Sequence, residues 1–199
     1  MIQTAVALDK PRLREKALLR RSAAAASASR QSLAAATDAA FEAICARVFS
    51  GPSVGRVALY HAIRDETPTA ELALRLRAAG LPLALPAVPA PNATPVFRAW
   101  EPDAPLEPDA CGVPSPTADA AAVRPCVIVA PLVGFDRRGG RLGYGGGYYD
   151  RAIADARARG PVFTLGLAFS RQELERVPTE GHDARLDAVA TEQGLVLFD

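Results

Sequence analysis

Six glycines, Gly139, Gly140, Gly143, Gly145, Gly146 and Gly147, fall within nine positions, interleaved with Arg141, Leu142 and Tyr144 and followed by Tyr148-Tyr149-Asp150-Arg151. Glycine loses the most backbone freedom on folding, so a chain keeps such a run where backbone must come close to a ligand. Amide N–H groups clustered ahead of a helix suit phosphate. Arg141 and Arg151 add fixed positive charge, and Asp136 and Asp150 add carboxylate oxygens of the kind that hold magnesium. A Walker loop is excluded, because no lysine follows any of these glycines. The dinucleotide fingerprint is excluded too: after Gly143 and Gly145 it needs a glycine where Tyr148 stands. A structural turn rich in glycine is the alternative. Two tyrosines directly before an aspartate favour a ligand site, since aromatic rings beside a loop stack on planar groups.

The elements around the loop must position it. The apolar run Val127–Val133 reads as a buried strand that feeds it, and Arg151–Arg159 as a helix that leaves it. Asp9-Lys10-Pro11 reads as a helix start, continuing through Leu13, Ala17 and Leu18 with its other charges on a solvated face. Ser22–Ser29 reads as a connection or frayed end, and Ser32–Phe49 as a second amphipathic helix. Gly55–Tyr60 and Leu81–Pro86 read as strands about a helix over Thr67–Ala79, Val96–Trp100 as an edge strand, and Val162–Ala168, Leu186–Ala190 and Leu195–Phe198 as later strands. A short helix is expected over Arg171–Arg176. This alternation points to one α/β domain, a three-layer α/β/α sandwich with a mostly parallel, Rossmann-like sheet. Residues 1–8 read as a flexible N-terminus, and 87–125, dense in proline, as an irregular insertion covering the site.

The bounds on function are simple. The chain has 199 residues, 49% apolar and 23% charged, with a net charge of +1. That is the composition of a soluble globular domain without the electrostatic footprint of a nucleic-acid or membrane binder. Cys45, Cys111 and Cys126 are odd in number and widely spaced, which fits a reducing compartment and no zinc site. With no signal peptide in Met1–Leu8 and no apolar run of membrane length, the expectation is a cytoplasmic monomer. Ligands of open α/β sheets bind beyond the carboxyl ends of strands, so His61 and Glu66, after the first strand, are site candidates. A structural histidine and a first-turn helix acid are the competing readings.

Together these residues resemble the 5-formyltetrahydrofolate cyclo-ligase family. The resemblance rests on Pro131-Leu-Val-Gly-Phe-Asp136 followed by Arg141-Leu-Gly-Tyr-Gly-Gly-Gly-Tyr-Tyr-Asp150. Lys10-x3-Arg14, Asp65-Glu66 and His182-Asp183-x3-Asp187 occur in the family's order, and the match spans roughly residues 9 to 193. It implies an enzyme that uses ATP and magnesium to convert 5-formyltetrahydrofolate to 5,10-methenyltetrahydrofolate, releasing ADP and phosphate. The formyl oxygen attacks the γ-phosphate, N10 then attacks the activated carbon, and phosphate leaves as the ring closes. The work of the protein is positioning and charge stabilisation.

Carried over by position, Lys10 and Arg14, which share a helix face at i and i+4, would contact the ATP phosphates. Arg141, Leu142, Gly143, Tyr144, Gly145, Gly146, Gly147, Tyr148 and Tyr149 would wrap the nucleotide. Arg141, Tyr149 and Asp150 are the expected catalytic residues, and Asp150 and Asp187 the expected magnesium ligands. His61, Glu66, Tyr148 and Tyr149 would bind the folate, Glu66 through the pterin N–H donors. Some positions depart from the family pattern. Gly146 stands where many members carry lysine, Cys111 where an aromatic is frequent, Ser115 before Pro116 where Glu or Gln is common, and Pro125-Cys126 where an aspartate is common. An ATP-dependent enzyme acting on another acceptor, and a folate- or nucleotide-binding protein without turnover, are the alternatives.

Overall fold

The structure, a computed structural model, describes residues 10–50 and 55–198. Helix α1 (Lys10–Ser27) opens it; Asp9, expected as its N-cap, lies outside the described residues. The alanine-rich run expected as a connection is helical, because alanine favours helix more than any other residue. The chain breaks only at Ala28–Ser29. There the Ser29 side chain accepts the Ser32 N–H and caps α2 (Arg30–Val48). The remaining helices are α3 (Ala70–Ala78) and α4 (Tyr148–Ala158). Helix α4 thus begins three residues earlier than the pattern indicated, capped by Gly147 at φ 65°. The short helix expected over Arg171–Arg176 is a single 3₁₀ turn, Ser170–Gln172.

The strands of the main sheet are β1 (Val57–Ala58), β2 (Leu83–Ala87), β3 (Val96–Trp100), β6 (Val127–Ala130), β9 (Phe163–Leu167), β10 (Ala188–Thr191) and β11 (Gly194–Leu197). Two small ribbons hold β4 (Glu107–Pro108) with β5 (Pro114–Ser115), and β7 (Gly134–Phe135) with β8 (Arg141–Leu142). The seven-stranded order is β11-β10-β9-β6-β1-β2-β3. Its five central strands are parallel, and β11 and β3 are antiparallel edges.

Alternation along the strands divides the core. Val57, Leu83, Val127, Val129 and Leu165 face α2 and α3, whereas Ala58, Ala84 and Ile128 face Ala152 and Ile153 of α4. This is the three-layer α/β/α arrangement expected from the sequence. Helix α1 belongs to neither layer. Its Ala17 packs with Val133, Leu142, Leu174 and Val177, so α1 lies across the β7–β8 ribbon beyond the carboxyl end of β6.

The sheet is tight where the backbone of β9 passes under its neighbours. A Cβ at Gly166 would stand 2.8 Å from Leu132 Cδ2 and 2.9 Å from both Leu186 Cδ1 and Val189 Cγ2. Overpacking of this kind costs about 1–3 kcal/mol. Gly166→Ala is therefore expected to lower unfolding stability by that amount in urea denaturation, with the m-value unchanged.

Candidate active site

Strand order reverses between β1 and β6, and the chain leaving both strands opens a cleft of about 680 Å³. Crossing points of this kind are where doubly wound sheets bind ligands. Tyr60 and His61 follow β1, Pro131 follows β6, and Gly143 to Asp150 form the floor toward α4. Lys10 and Arg14 reach in from α1, while Val88, Asp109, Cys111, Val113 and Pro114 come from the 87–125 segment. Thus Lys10, Arg14, His61, Glu66 and the whole stretch Arg141 to Asp150 meet in one cavity.

The glycine loop is set by what surrounds it. Asp136, 2% exposed, accepts the N–H groups of Arg138 and Gly140 at 2.9 Å through Oδ1 and that of Val177 at 2.7 Å through Oδ2. Its oxygens are occupied by backbone, so its part is to shape the turn into β8 rather than to hold a metal. Gly145 has φ 101°, and a Cβ there would meet the Arg14 guanidinium at 3.3 Å. Arg14 Nε donates to the Gly143 carbonyl at 2.8 Å. A Cβ at Gly146 would meet the Tyr148 ring at 2.8 Å, so in this chain the ring takes the space a side chain at 146 would need.

Arg141 and Asp150 form an ion pair of 2.7 Å, their side chains 4% and 17% exposed. The same Asp150 oxygen accepts the Ala184 N–H at 3.1 Å. Lys10 Nζ bonds Asp183 Oδ2 at 2.8 Å and Glu180 Oε1 at 2.9 Å. Desolvation lowers the Lys10 pKa, but the hydrogen bonds to Asp183 and Glu180 outweigh it and leave the ammonium raised. Desolvation likewise raises Asp183, and the bonds from Lys10 and the Glu180 N–H outweigh it and leave the carboxyl lowered.

On the opposite wall, Glu66 is 7% exposed and lies outside any helix, since α3 begins only at Ala70. It is therefore not a first-turn helix acid. Its Oε2 accepts the Ile63 N–H at 2.9 Å across a turn in which Arg64 adopts φ 53°. Tyr60 Oη, donating to Thr67 O at 2.6 Å, and Thr69 Oγ1, donating to Tyr60 O at 2.7 Å, close the base of that loop. Burial pushes the Glu66 carboxyl above the usual range, partly opposed by the Ile63 bond and by Arg21 and Arg64. Burial, reinforced by the field of Glu66, also raises Tyr149, so its phenol is neutral. The two tyrosines divide: Tyr149 packs on the core between Glu66 and Arg141, whereas Tyr148 Oη accepts the Asn92 N–H at 3.2 Å.

The expected pairing of Asp150 with Asp187 is not what the structure brings together. Asp187 precedes β10 at the amino end of the parallel strands. There it accepts from Thr164 N at 2.6 Å, Thr164 Oγ1 at 2.7 Å and Arg157 Nη2 at 3.0 Å. Arg157 is seven residues along α4 from Asp150, roughly 10 Å of helix. The acid that does reach the cleft is Asp183, which the sequence motif also contains. Pro125 and Cys126 lie at the far end of β6, away from the cleft, and Ser115 is buried in the β4–β5 ribbon, donating toward Glu107 O at 3.4 Å. Of the departures, only Cys111 and Gly146 line the cleft.

Arg21 was also missed, passing for one more charge on a solvated helix face. The signal was its spacing: Lys10, Arg14, Ala17 and Arg21 recur at i, i+4, i+7 and i+11, one stripe of a helix.

A cleft at the crossing point of a doubly wound sheet, with the glycine loop and three cations on one wall and a buried carboxylate on the other, defines an α/β protein with a small-molecule site. The model of the 5-formyltetrahydrofolate cyclo-ligase family matches residues 6–192. The chain belongs to that family. It is 32% identical over 140 residues to the 5-formyltetrahydrofolate cyclo-ligase of Escherichia coli K12, covering 68% of this chain and 76% of that protein. With the Haemophilus influenzae cyclo-ligase it shares 35% identity over 95 residues, a stretch spanning 46% of this chain and half the length of that relative. The solved Aquifex aeolicus 5,10-methenyltetrahydrofolate synthetase superposes with a TM-score of 0.69 at 28% identity, over 94% of this chain and 92% of that one. A Mycoplasma pneumoniae synthetase shares the fold, with a TM-score of 0.65 at 21% identity, over 93% of this chain and 99% of that one.

The geometry makes Asp150 structural as well as polar. Removing one charge of a mostly buried pair leaves the other uncompensated, at a cost of about 3 kcal/mol or more. Asp150→Asn is expected to lose stability on that scale in chemical denaturation, and Asp187→Asn to leave the ligand affinity of the cleft unchanged in titration calorimetry.

Proposed function

We propose that the cleft joins ATP hydrolysis to the cyclisation of 5-formyltetrahydrofolate to 5,10-methenyltetrahydrofolate. The observation that carries this is the meeting of a phosphate-type wall and a buried carboxylate in one cavity. Lys10, Arg14, Arg141 and the amides of Gly143 to Gly147 offer donors to a triphosphate. Glu66 offers an acceptor to the N–H groups of a reduced pterin, and Tyr149 an apolar ring edge between the two. A cavity of this size and mixed lining is of the kind that takes small molecules.

The formamide oxygen is a poor leaving group. Attack of that oxygen on the γ-phosphorus breaks the bond to ADP and converts it into a phosphate ester, leaving the formyl carbon electrophilic. N10 adds to that carbon, N10 gives up its proton, and phosphate departs with the C–O bonding pair as the ring closes. The protein's share is to hold oxygen, phosphorus and N10 in line and to neutralise the charge that accumulates on the phosphates.

Magnesium fits the residues present as a phosphate-borne ion. Among the described residues no group of three or more His, Cys, Asp or Glu side chains forms a protein cage. Asp150 and Asp183 do line the same cleft, joined through the Ala184 N–H, and magnesium usually takes one or two carboxylates with the remainder from phosphate and water. Bound there it would neutralise phosphate oxygens. Lys10, now held by Asp183, would then be free to turn toward the phosphates. The protein is read as acting on small molecules in the cytoplasm as a monomer. Among the described residues no helix is long and apolar enough to cross a membrane.

The direct test is purified protein with ATP, magnesium and 5-formyltetrahydrofolate, followed by the near-ultraviolet absorbance of the methenyl product. ATP binding without product would leave a nucleotide-binding protein and overturn the assignment. Lys10→Ala is expected to weaken ATP binding about 10- to 150-fold, the loss of one charge-assisted bond worth about 1.5–3 kcal/mol.

The pH dependence follows from Glu66. The pterin contact needs the ionised carboxylate, and burial raises its pKa, so folate affinity is expected to fall on acidification at a pH above the ordinary carboxylate range. For stability the sign is opposite. A raised carboxyl binds its proton more tightly in the folded state, so its ionisation disfavours folding progressively as pH rises through the folded pKa. Fluorescence titration of a folate analogue from pH 4 upward checks the first statement; a Glu66→Gln variant should bind weakly and without that pH dependence.

A further inference from the structure

Arg21 is 1% exposed, lies in α1, and touches three other segments. Its Nη1 stands 3.9 Å from Glu66 Oε1 and donates to the Leu132 carbonyl at 3.3 Å, where the chain leaves β6. Its Nη2 donates to the Tyr144 hydroxyl in the glycine loop, and its Cζ lies 5.1 Å from the centre of the Tyr144 ring. Among the described residues its Nε has no hydrogen-bond partner. The adjacent Ser22 hydroxyl donates to Asp65 Oδ2 at 2.7 Å, so consecutive residues of α1 stand against the consecutive acids Asp65 and Glu66.

A buried guanidinium with an unused N–H is costly unless its geometry has a purpose. A shorter apolar residue would fill the stripe between Ala17 and Ala24 without charge. The plane and fork of arginine allow two different oxygens to be held at once, which an ammonium does less well. Here the two bonded oxygens are Tyr144 Oη, in the loop expected to hold the nucleotide, and the Leu132 carbonyl, and the same guanidinium stands within ion-pair range, 3.9 Å, of the carboxylate expected to hold the pterin.

Resting on the cyclo-ligase reading of the cleft, we infer that Arg21 is a positioning residue that fixes Tyr144 and the end of β6 and sets its charge beside Glu66, coupling the nucleotide loop to the folate carboxylate. The groups around Glu66 are consistent with this. Arg64 faces it from its own loop and also stands over the Tyr144 ring, at 5.2 Å. Tyr60 after β1 and Tyr149 from α4 face it as neutral phenols, both raised chiefly by burial. Arg21 is therefore the one buried cation set against the burial of Glu66, since Arg64 is exposed.

The experiment compares wild type, Arg21→Met and Arg21→Lys. The ionisation midpoint of Glu66 is read by carbon-13 NMR of the labelled carboxyl in ligand-free protein. The Met variant is expected to raise that midpoint by one pH unit or more, a tenfold change in proton affinity. The acid limb of kcat/KM should move by the same amount. The Lys variant is expected to keep the midpoint near wild type while KM for ATP rises about tenfold, because one ammonium cannot hold both oxygens. An unmoved midpoint in folded Arg21→Met, or a wild-type KM in Arg21→Lys, would overturn the inference.

If Arg21→Met does not fold, Arg21→Gln, polar and uncharged, takes its place: the same rise of the Glu66 midpoint is expected, and an unmoved midpoint overturns the inference. The NMR measurement needs no turnover, so a wild-type protein without cyclo-ligase activity would fail the functional reading and leave this test standing.

Discussion

A single buried carboxylate underlies the geometry of this cleft. Asp136 accepts three backbone N–H groups, two from its own turn and one from Val177, two strands and a helix further along the chain. Charged acceptors make such bonds worth about 1.5–3 kcal/mol each, which offsets the desolvation of the carboxylate. The consequence is spatial. The turn at 136–140 is closed, Gly140 leaves no room for a side chain against the carboxylate, and β8 delivers Arg141 to Asp150. The Val177 segment held by the same carboxylate is part of the surface on which Ala17 of α1 packs. The glycine loop and the helix carrying Lys10 and Arg14 are thereby referred to one point.

The charges lining the cleft are matched. Lys10 rests on Asp183 and Glu180, Arg141 on Asp150, and Arg21 beside Glu66, while Arg14 is bound to a carbonyl. This agrees with a chain whose overall charge is only +1. Drawing Lys10 from Asp183 or Arg141 from Asp150 would leave a carboxylate of the cleft unpaired, so the cations of this wall are available only in exchange for new partners on both sides.

The layers of the fold were legible because apolar alternation and glycine-proline punctuation are local signals, and Val127–Val133 followed by the glycine run marked the crossing strand. The run Arg141 to Asp150, which lines the cleft, was legible for the same reason: it is contiguous. What was not legible depended on direction rather than on residue type. Asp183 and Asp187 are equally good oxygen donors four residues apart, and only the course of the chain up to β10 sends one into the cleft and the other to Thr164 and Arg157. Arg21 shares its composition with Arg20 beside it, and its place in the stripe of Lys10, Arg14 and Ala17 tells the two apart only once that stripe is known to face the fold. Glu66 needed the true start of α3, which neither charge nor periodicity located.

The Tyr148 ring and the 87–125 segment meet above Gly146, where the phenol takes the Asn92 N–H and the ring faces the Arg151 guanidinium. Position 146 is consequently not independent of what lies above it. A side chain there would need the Tyr148 ring to rotate, and with it the hairpin tip between β2 and β3 to find another support. Substitutions at 146 and at that tip should therefore be non-additive, because both segments lean on one ring.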